Sequence, residues 1–510
     1  MIALIALLLA AAPAGESTYP APLKEFLAAK NKDGSPVLSA ADRAALAALP
    51  EHTRKLIGDA AESMILGNAA HLKVLLSLEL PVSTMELVAQ DNCILCHSDP
   101  GNQKAKNLFS VDPQAQKSNP LLNLKEFVSD VHFRRGLSCS GCHGGKPSDE
   151  TMTKEIYARW PADDVRHKDR SWIPGFCARC HGDPNFMRGF NPTLPTDQLA
   201  KYKDSLHGIR LLEQKDSRAA QCVSCHGVHG IRNAKSPKSM INARRIPDTC
   251  GACHADPKHM EGYKLPNGAP FPTTQLADYK VSVHGKALLE KGDLGAPSCI
   301  GCHGSHAAMP PAVASVAQVC RRCHAQNGML FDGSRHKKAF EEHKWPECGQ
   351  CHGKHGIAKP SDALIGDARG TLCQDCHSVY AKGNPQCNAT AAVFRASLDK
   401  LASGRSEITG QVEKLAERGL DVEPLSRSLG DLDEALVQAR SKIHSFDEST
   451  FQSAAQPGNE ALAKAREQIA ESRHEARFRT RGLLAAIGFM SLIAVGIALK
   501  LREMGKRRDG

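Results

Sequence analysis

The chain has 510 residues, with 19 cysteines, 23 histidines and aromatics at only 5%. That length allows two or three domains, but so many cysteines exclude an ordinary cytosolic protein, and so few aromatics argue against a conventional core. The formal charge of +10 would by itself point to an anionic partner such as nucleic acid, a reading that the cysteine pattern removes.

The chain begins MIALIALLLAAAPAGES. Ile2 to Ala12 are apolar and Ala12-Pro13-Ala14 is a small-residue cleavage site, so residues 1–14 read as a secretory signal peptide, too short for a membrane span. Residues 15–90 read as a helical segment, in which Ser39 caps AADRAALAAL and Pro50 ends it.

Residues 91–387 carry a single repeated spacing. C-x-x-C-H occurs nine times: at Cys93, Cys96 and His97; Cys139, Cys142 and His143; Cys177, Cys180 and His181; Cys222, Cys225 and His226; Cys250, Cys253 and His254; Cys299, Cys302 and His303; Cys320, Cys323 and His324; Cys348, Cys351 and His352; and Cys373, Cys376 and His377. Only Cys387 is left over, a free thiol or half of an intermolecular bridge. C-x-x-C-H is the attachment pattern of c-type haem: two thiols bond the porphyrin and the adjacent histidine reaches the iron as proximal ligand. The competing readings fail. A thioredoxin-like C-x-x-C needs no following histidine. Zinc ribbons have no role for a histidine after every second cysteine, and a disulfide scaffold does not repeat one spacing so regularly. The expected cofactors are therefore nine covalently bound c-type haems. Their propionates absorb most of the basic charge, so nucleic acid binding has no support.

The region also repeats at longer range. LPTDQLAKYKDSLHGIRLLEQKDSRAAQCVSCHGVHGI (Leu194 to Ile231) matches FPTTQLADYKVSVHGKALLEKGDLGAPSCIGCHGSHAA (Phe271 to Ala308), and each is followed by a second site. Shorter versions precede and follow, giving one single site at Cys93 and then four doublets. Each doublet has an upstream histidine: His132, His207, His284 and His336. Three have another histidine three residues after the first motif histidine: His229, His306 and His355. The first doublet has Gly145-Lys146 there, and His167 is its expected substitute. These eight are the candidate distal ligands, giving bis-histidine iron. His306 is too close in sequence to His303 to bind the opposite face of the same iron, so it is expected to reach a neighbouring haem, with His284 serving its own doublet. The single site at His97 could take His71, His259 or His343. Met187, Met260 and Met329 recur after second sites and are expected to pack against porphyrin rather than ligate.

With so many haems in so few residues, the expected core is the haems themselves, wrapped by short helices and irregular chain. Residues 388–481 hold no haem site and show helical spacing. Three long helices are expected there as a stalk or small bundle, with breaks near Gly419 and at Gln456-Pro457-Gly458 and the third helix beginning near Asn459. Residues 482–499, GLLAAIGFMSLIAVGIAL, hold no charge and reach transmembrane length. Residues 500–510 form a basic tail suited to the cytoplasmic side. The expected fold is thus mainly α with much irregular structure.

The nine sites, the C-x-x-C-H-G-x-H signature and the YKxSxHG stretch resemble the multihaem c-type cytochromes with doubled C-x-x-C-H motifs. The resemblance implies closely spaced bis-histidine haems that pass electrons along a chain. The expectation is a single-pass protein of a bacterial inner membrane with its haem region in the periplasm. It would carry electrons to redox partner proteins from a soluble donor or a quinol-oxidising complex. Two other readings are a reductase of small nitrogen or sulfur oxyanions, which needs one open haem, and an electron-transfer subunit of a larger membrane complex.

Overall fold

The computed structural model describes residues 19, 21–62, 69–77, 82, 85–86, 124–137, 139–143, 170–309, 318–379 and 385–508. The signal-peptide reading lies outside them, as do His167 and the whole of the single site, Cys93, Cys96 and His97. Among the described residues the regular structure is helical, as expected. The extended pairings there are two isolated bridges, Lys30 with Pro36 and Lys264 with Pro270. Two compact units divide the chain: Met1–Lys280 with His284–Pro310, and Val281–Val283 with Pro311–Gly510.

The first unit opens with α1 (Ala21–Ala28), α2 (Ala40–Ala47), α3 (Glu51–Glu62) and α4 (Ala69–Ser77). Ser39 caps α2 as its sequence implies. Its hydroxyl accepts from the Asp42 N–H at 3.2 Å, and Asp42 accepts from the Ser39 N–H at 2.8 Å. Leu23, Leu46, Ile57, Leu72 and Leu75 are fully buried, each contributing about 1.5–3 kcal/mol. Their cluster includes Phe127 and Phe133, and Cys139 packs against it. The opening helices, whose role the sequence did not reveal, therefore wall the first doublet.

The rest of this unit includes short helices ending on motif histidines: Cys139–His143, Ile173–His181, Cys222–His226, Ile246–His254 and Cys299–His303. After the first site of a doublet the chain turns sharply on a glycine. Gly227 has φ 77°, ψ −166° and Gly304 has φ 80°, ψ 172°, a region open essentially to glycine alone. That turn throws the following histidine away from the helix it has just left.

The second unit repeats the pattern in Cys348–His352, which ends on Gly353 (φ 77°), and in Leu372–His377. It then forms α5 (Pro385–Glu417), α6 (Glu423–Lys442) and α7 (Glu448–Arg508). Gly419 (φ 70°) separates α5 from α6 as expected, but α7 runs unbroken through Pro457. The break expected at Gln456-Pro457-Gly458 is replaced by a turn over Ile443–Phe446, with Phe446 at φ 51° and Asp447 accepting from the Thr450 N–H at 2.8 Å. The reason is packing. Phe451, Ala455, Leu462, Ala465 and Ile469 form one buried stripe spanning the proline. A Cβ on Gly458 would stand 2.9 Å from Ala435 Cβ, so the helices approach closely there. A proline inside a helix costs about 3 kcal/mol, and several buried side chains at about 1.5–3 kcal/mol each outweigh it. Beyond the bundle, α7 carries the apolar stretch 482–499 with its large side chains exposed, Leu492 at 72% and Phe489 at 66%. It is long and apolar enough to cross a membrane.

Candidate cofactor sites

The YKxSxHG stretch places a histidine by backbone bonding. Tyr202 OH donates to the Ala220 carbonyl at 2.9 Å, just before Cys222, and Tyr279 OH does the same to Pro297 before Cys299. Ser205 Oγ donates to the Tyr202 carbonyl at 2.6 Å and accepts from the Gly208 N–H at 2.9 Å. A Cβ on Gly208 or Gly285 would collide with the carbonyl of Tyr202 or Tyr279. The glycine after each histidine is thus a close-approach residue, and the motif fixes His207 and His284 relative to the thiols that follow.

The histidines come in opposed pairs. Each pair joins a motif histidine to one from outside the motif. In the first unit His132 faces His181 with ring centroids 5.8 Å apart, and their Nε2 atoms are 3.5 Å apart. His207 faces His254 at 6.0 Å, His143 faces His229 at 6.1 Å, and His226 faces His306 at 6.1 Å. In the second unit His336 faces His377 at 5.8 Å and His352 faces His444 at 6.0 Å.

Two kinds of pair emerge. Upstream histidines meet the second site of their own doublet, with ring planes steeply crossed at 82°, 54° and 83°. The histidines after the glycine turn, His229 and His306, reach back to the first site of the preceding doublet. Their ring planes are inclined at 34° and 7°. His306 thus leaves its own site for a neighbour, as its spacing from His303 implies. His143 is met by His229; His167, the substitute expected in the first doublet, lies outside the described residues.

A backbone bond recurs beside these pairs. Val131 N–H donates to the Ile231 carbonyl at 2.8 Å and Leu206 N–H to the Ala308 carbonyl at 3.2 Å. Each joins the residue before an upstream histidine to the residue two places after a reaching-back histidine. In the second unit Val283 and Ile357 make the same bond at 2.8 Å. Asp130 strengthens the first instance. Its carboxylate accepts from the Ile231 N–H at 2.6 Å and the His132 N–H at 2.8 Å, and lies 3.0 Å from His132 Nδ1. Hydrogen bonds from His132 and Ile231 outweigh its burial and hold this carboxyl below the usual range.

Burial pushes the imidazoles of His181, His207, His226, His229, His306, His352 and His377 below their ordinary pKa, and that of His336 down to about 4. They are held neutral, the form that binds metal. A metal–imidazole bond runs about 2 Å, so two opposed nitrogens on one metal stand about 4 Å apart, close to the 3.5 Å between the Nε2 atoms of His132 and His181. Among the described residues no three of His, Cys, Asp and Glu converge on one point. Two opposed donors and no third fit a planar macrocycle that fills the remaining positions itself.

The thiols fit the same group. None of the described cysteines forms a disulfide. Cys177 lies in hydrogen-bond contact with Cys222, Cys250 with Cys299, and in the second unit Cys320 with Cys348. Each contact joins a second site to the first site of the next doublet. Cys142 neighbours Cys180, Cys225 neighbours Cys253 and Cys351 neighbours Cys376, each within a doublet. At these six steps successive sites lie alternately beside one another through their first and second cysteines. Cys302 is half-buried in the first unit, near Tyr279, and Cys323 is exposed in the second. Cys96 lies outside the described residues, so its place as the second thiol of the single site rests on the motif alone.

The remaining candidates are placed as follows. His284 lies on the helix Val283–Leu289, and His355 follows the Gly353 turn. His303 Nδ1 lies 3.2 Å from the Met309 carbonyl, and His324 precedes the helix Ala325–Asp332. His71 is on α4, His259 is on the helix Pro257–Met260, and His343 stacks on Trp345 at 4.5 Å. Met187 is buried and Met329 is 68% exposed. His444 was missed from the sequence, where it is a lone histidine in a helical stretch. Counting could have found it: if each doublet is served by the one after, the last doublet needs a donor from beyond.

Residues 215–259 and 339–382 match the family described as Doubled CXXCH motif, each stretch spanning one full doublet. No curated protein and no solved structure matches the chain. The doubled motifs mark covalently bound c-type haem, as in multihaem electron carriers.

Proposed function

We propose that this chain is a membrane-anchored multihaem cytochrome c. It carries electrons outside the cytoplasm from a quinol-linked or soluble donor to a downstream acceptor, through nine covalently bound haems. The observation that carries this reading is the recurring opposition of a motif histidine to a histidine from outside the motif.

Bound haem supplies a one-electron iron couple. The eighteen motif cysteines tether it, Cys96, Cys302 and Cys323 among them by their motif position. His97, His143, His181, His226, His254, His303, His324, His352 and His377 would bind the iron beside the tethering thiols. His132, His207, His229, His306 and His336 would supply the second imidazole in the pairs described. His284 occupies the register of His207, and His355 that of His229 and His306, so both are assigned as distal ligands. Two imidazoles per iron leave no position for a substrate, which suits carriage of electrons without bond-making chemistry. The alternating cysteine neighbours support a relay, since within each unit they bring one tether beside another. The apolar segment 482–499 supports anchoring in the inner membrane, with Lys500 and Arg502 beyond it on the cytoplasmic side.

Intact mass of the purified, acid-denatured protein tests the haem count. The expected result is a chain shortened by its leader and carrying nine haem masses. A mass matching the bare chain sinks the proposal, and one matching only the two doublets in the family match sinks the nine-haem claim.

A further inference from the structure

We infer that the α6–α7 turn takes the place of a further doublet, and that His444 within it is the distal ligand of the haem held by Cys348, Cys351 and His352. The inference rests on the haem reading above. Doublets one and two receive the ligand for their first site from the glycine-turn loop of the doublet that follows. No doublet follows the fourth. The chain instead enters the helical bundle, and a histidine from the bundle arrives in the same position. His444 stands 6.0 Å from His352, with ring planes at 24°, inside the 7° to 34° spread of the other two first-site pairs.

The turn is built to hold that ring. His444 sits in the 3-10 turn Ile443–Ser445, and its Nδ1 lies 2.8 Å from the Ser441 carbonyl. A bond there fixes the tautomer that leaves Nε2 for metal, the usual arrangement of a ligating histidine. Ser441 Oγ is anchored in turn to Asn327 at 2.7 Å. In the other loops a backbone bond ties the turn to the upstream segment. Here Phe446 does so through its ring, which packs against His336 with centroids 3.8 Å apart, tilted at 37°. Arg440, one turn earlier on α6, forks onto Asp362 at 2.9 and 2.7 Å, fastening the bundle to the chain between His355 and Cys373. The bundle is therefore a ligand-bearing cap on the haem array, in addition to leading the chain to the membrane.

The test is His444→Ala in the full-length protein, with His474→Ala, an exposed bundle histidine, as control. Expected for His444→Ala is an unchanged haem count and the conversion of one haem per chain to a high-spin form that binds carbon monoxide. Added imidazole should return it to low spin, and His474→Ala should look like wild type. His444→Met, which keeps a ligand in place, should keep that haem low-spin and add a sulfur-to-iron absorption band. If His444→Ala fails to fold, the methionine variant decides the matter. An entirely low-spin His444→Ala protein, or a methionine variant with no such band, overturns the inference. Wild-type protein without haem would instead overturn the reading beneath it.

Discussion

At the scale of single residues, the glycine after a first-site histidine and the carboxylate beside His132 carry the sharpest predictions. Gly304 sits at φ 80°, ψ 172°, so Gly304→Ala should destabilise the protein by about 1–3 kcal/mol. It should also loosen His306 from His226. Thermal unfolding should show a lower midpoint, and an unchanged midpoint would refute the strain. Asp130 accepts from His132 and from the Ile231 N–H. As an anion beside an imidazole we propose as an iron ligand, it would raise ligand basicity, so Asp130→Asn should shift one haem to higher potential at constant haem count. A redox titration that overlays wild type would remove that role. The motif histidines and most of their partners were legible here because attachment chemistry demands one spacing and the repeats hold the others in register. His444 was not, because it occurs once and its role follows from where the repeat array stops.

At the scale of elements, three helices were legible from apolar spacing, while the end of the second and start of the third were not. The stretch that carries α7 through Pro457 mixes Phe451, Leu462 and Ile469 with small residues, Ala455, Gly458 and Ala465. Hydropathy hardly registers these, and a Pro-Gly pair looks like punctuation. The structure sets Gly458 in a seam against Ala435 and Leu401. Pro457→Ala should leave the bundle intact and not lower its melting temperature, since a helix-interior proline costs about 3 kcal/mol. Gly458→Leu, which overfills a close contact, should cost about 1–3 kcal/mol or more. The opposite ranking in thermal denaturation would show that the break and not the seam governs this region.

At the scale of the whole molecule, the chain combines three constructions: opening helices walling the first doublet, paired histidines that in the first unit stitch doublet to doublet, and a bundle that leads into an apolar helix. The doublets and the apolar span could be read from repeats and run length. The stitching could be anticipated only where sequence spacing forbade a local bond, as between His303 and His306. The two geometries of histidine pair could not be read at all, since ring inclination depends on which backbone segment delivers each ring. They make a prediction for the oxidised protein. The crossed pairs at second sites, 54° to 83°, should give strongly anisotropic low-spin ferric signals. The shallow pairs at first sites, 7° to 34°, should give rhombic ones. Low-temperature electron paramagnetic resonance, with spins quantified against haem content, therefore tests the central claim most directly. The account predicts low-spin signals of both kinds, with at most one high-spin haem per chain, at the site of Cys93, Cys96 and His97. High-spin iron at two or more haems per chain would contradict paired-histidine ligation.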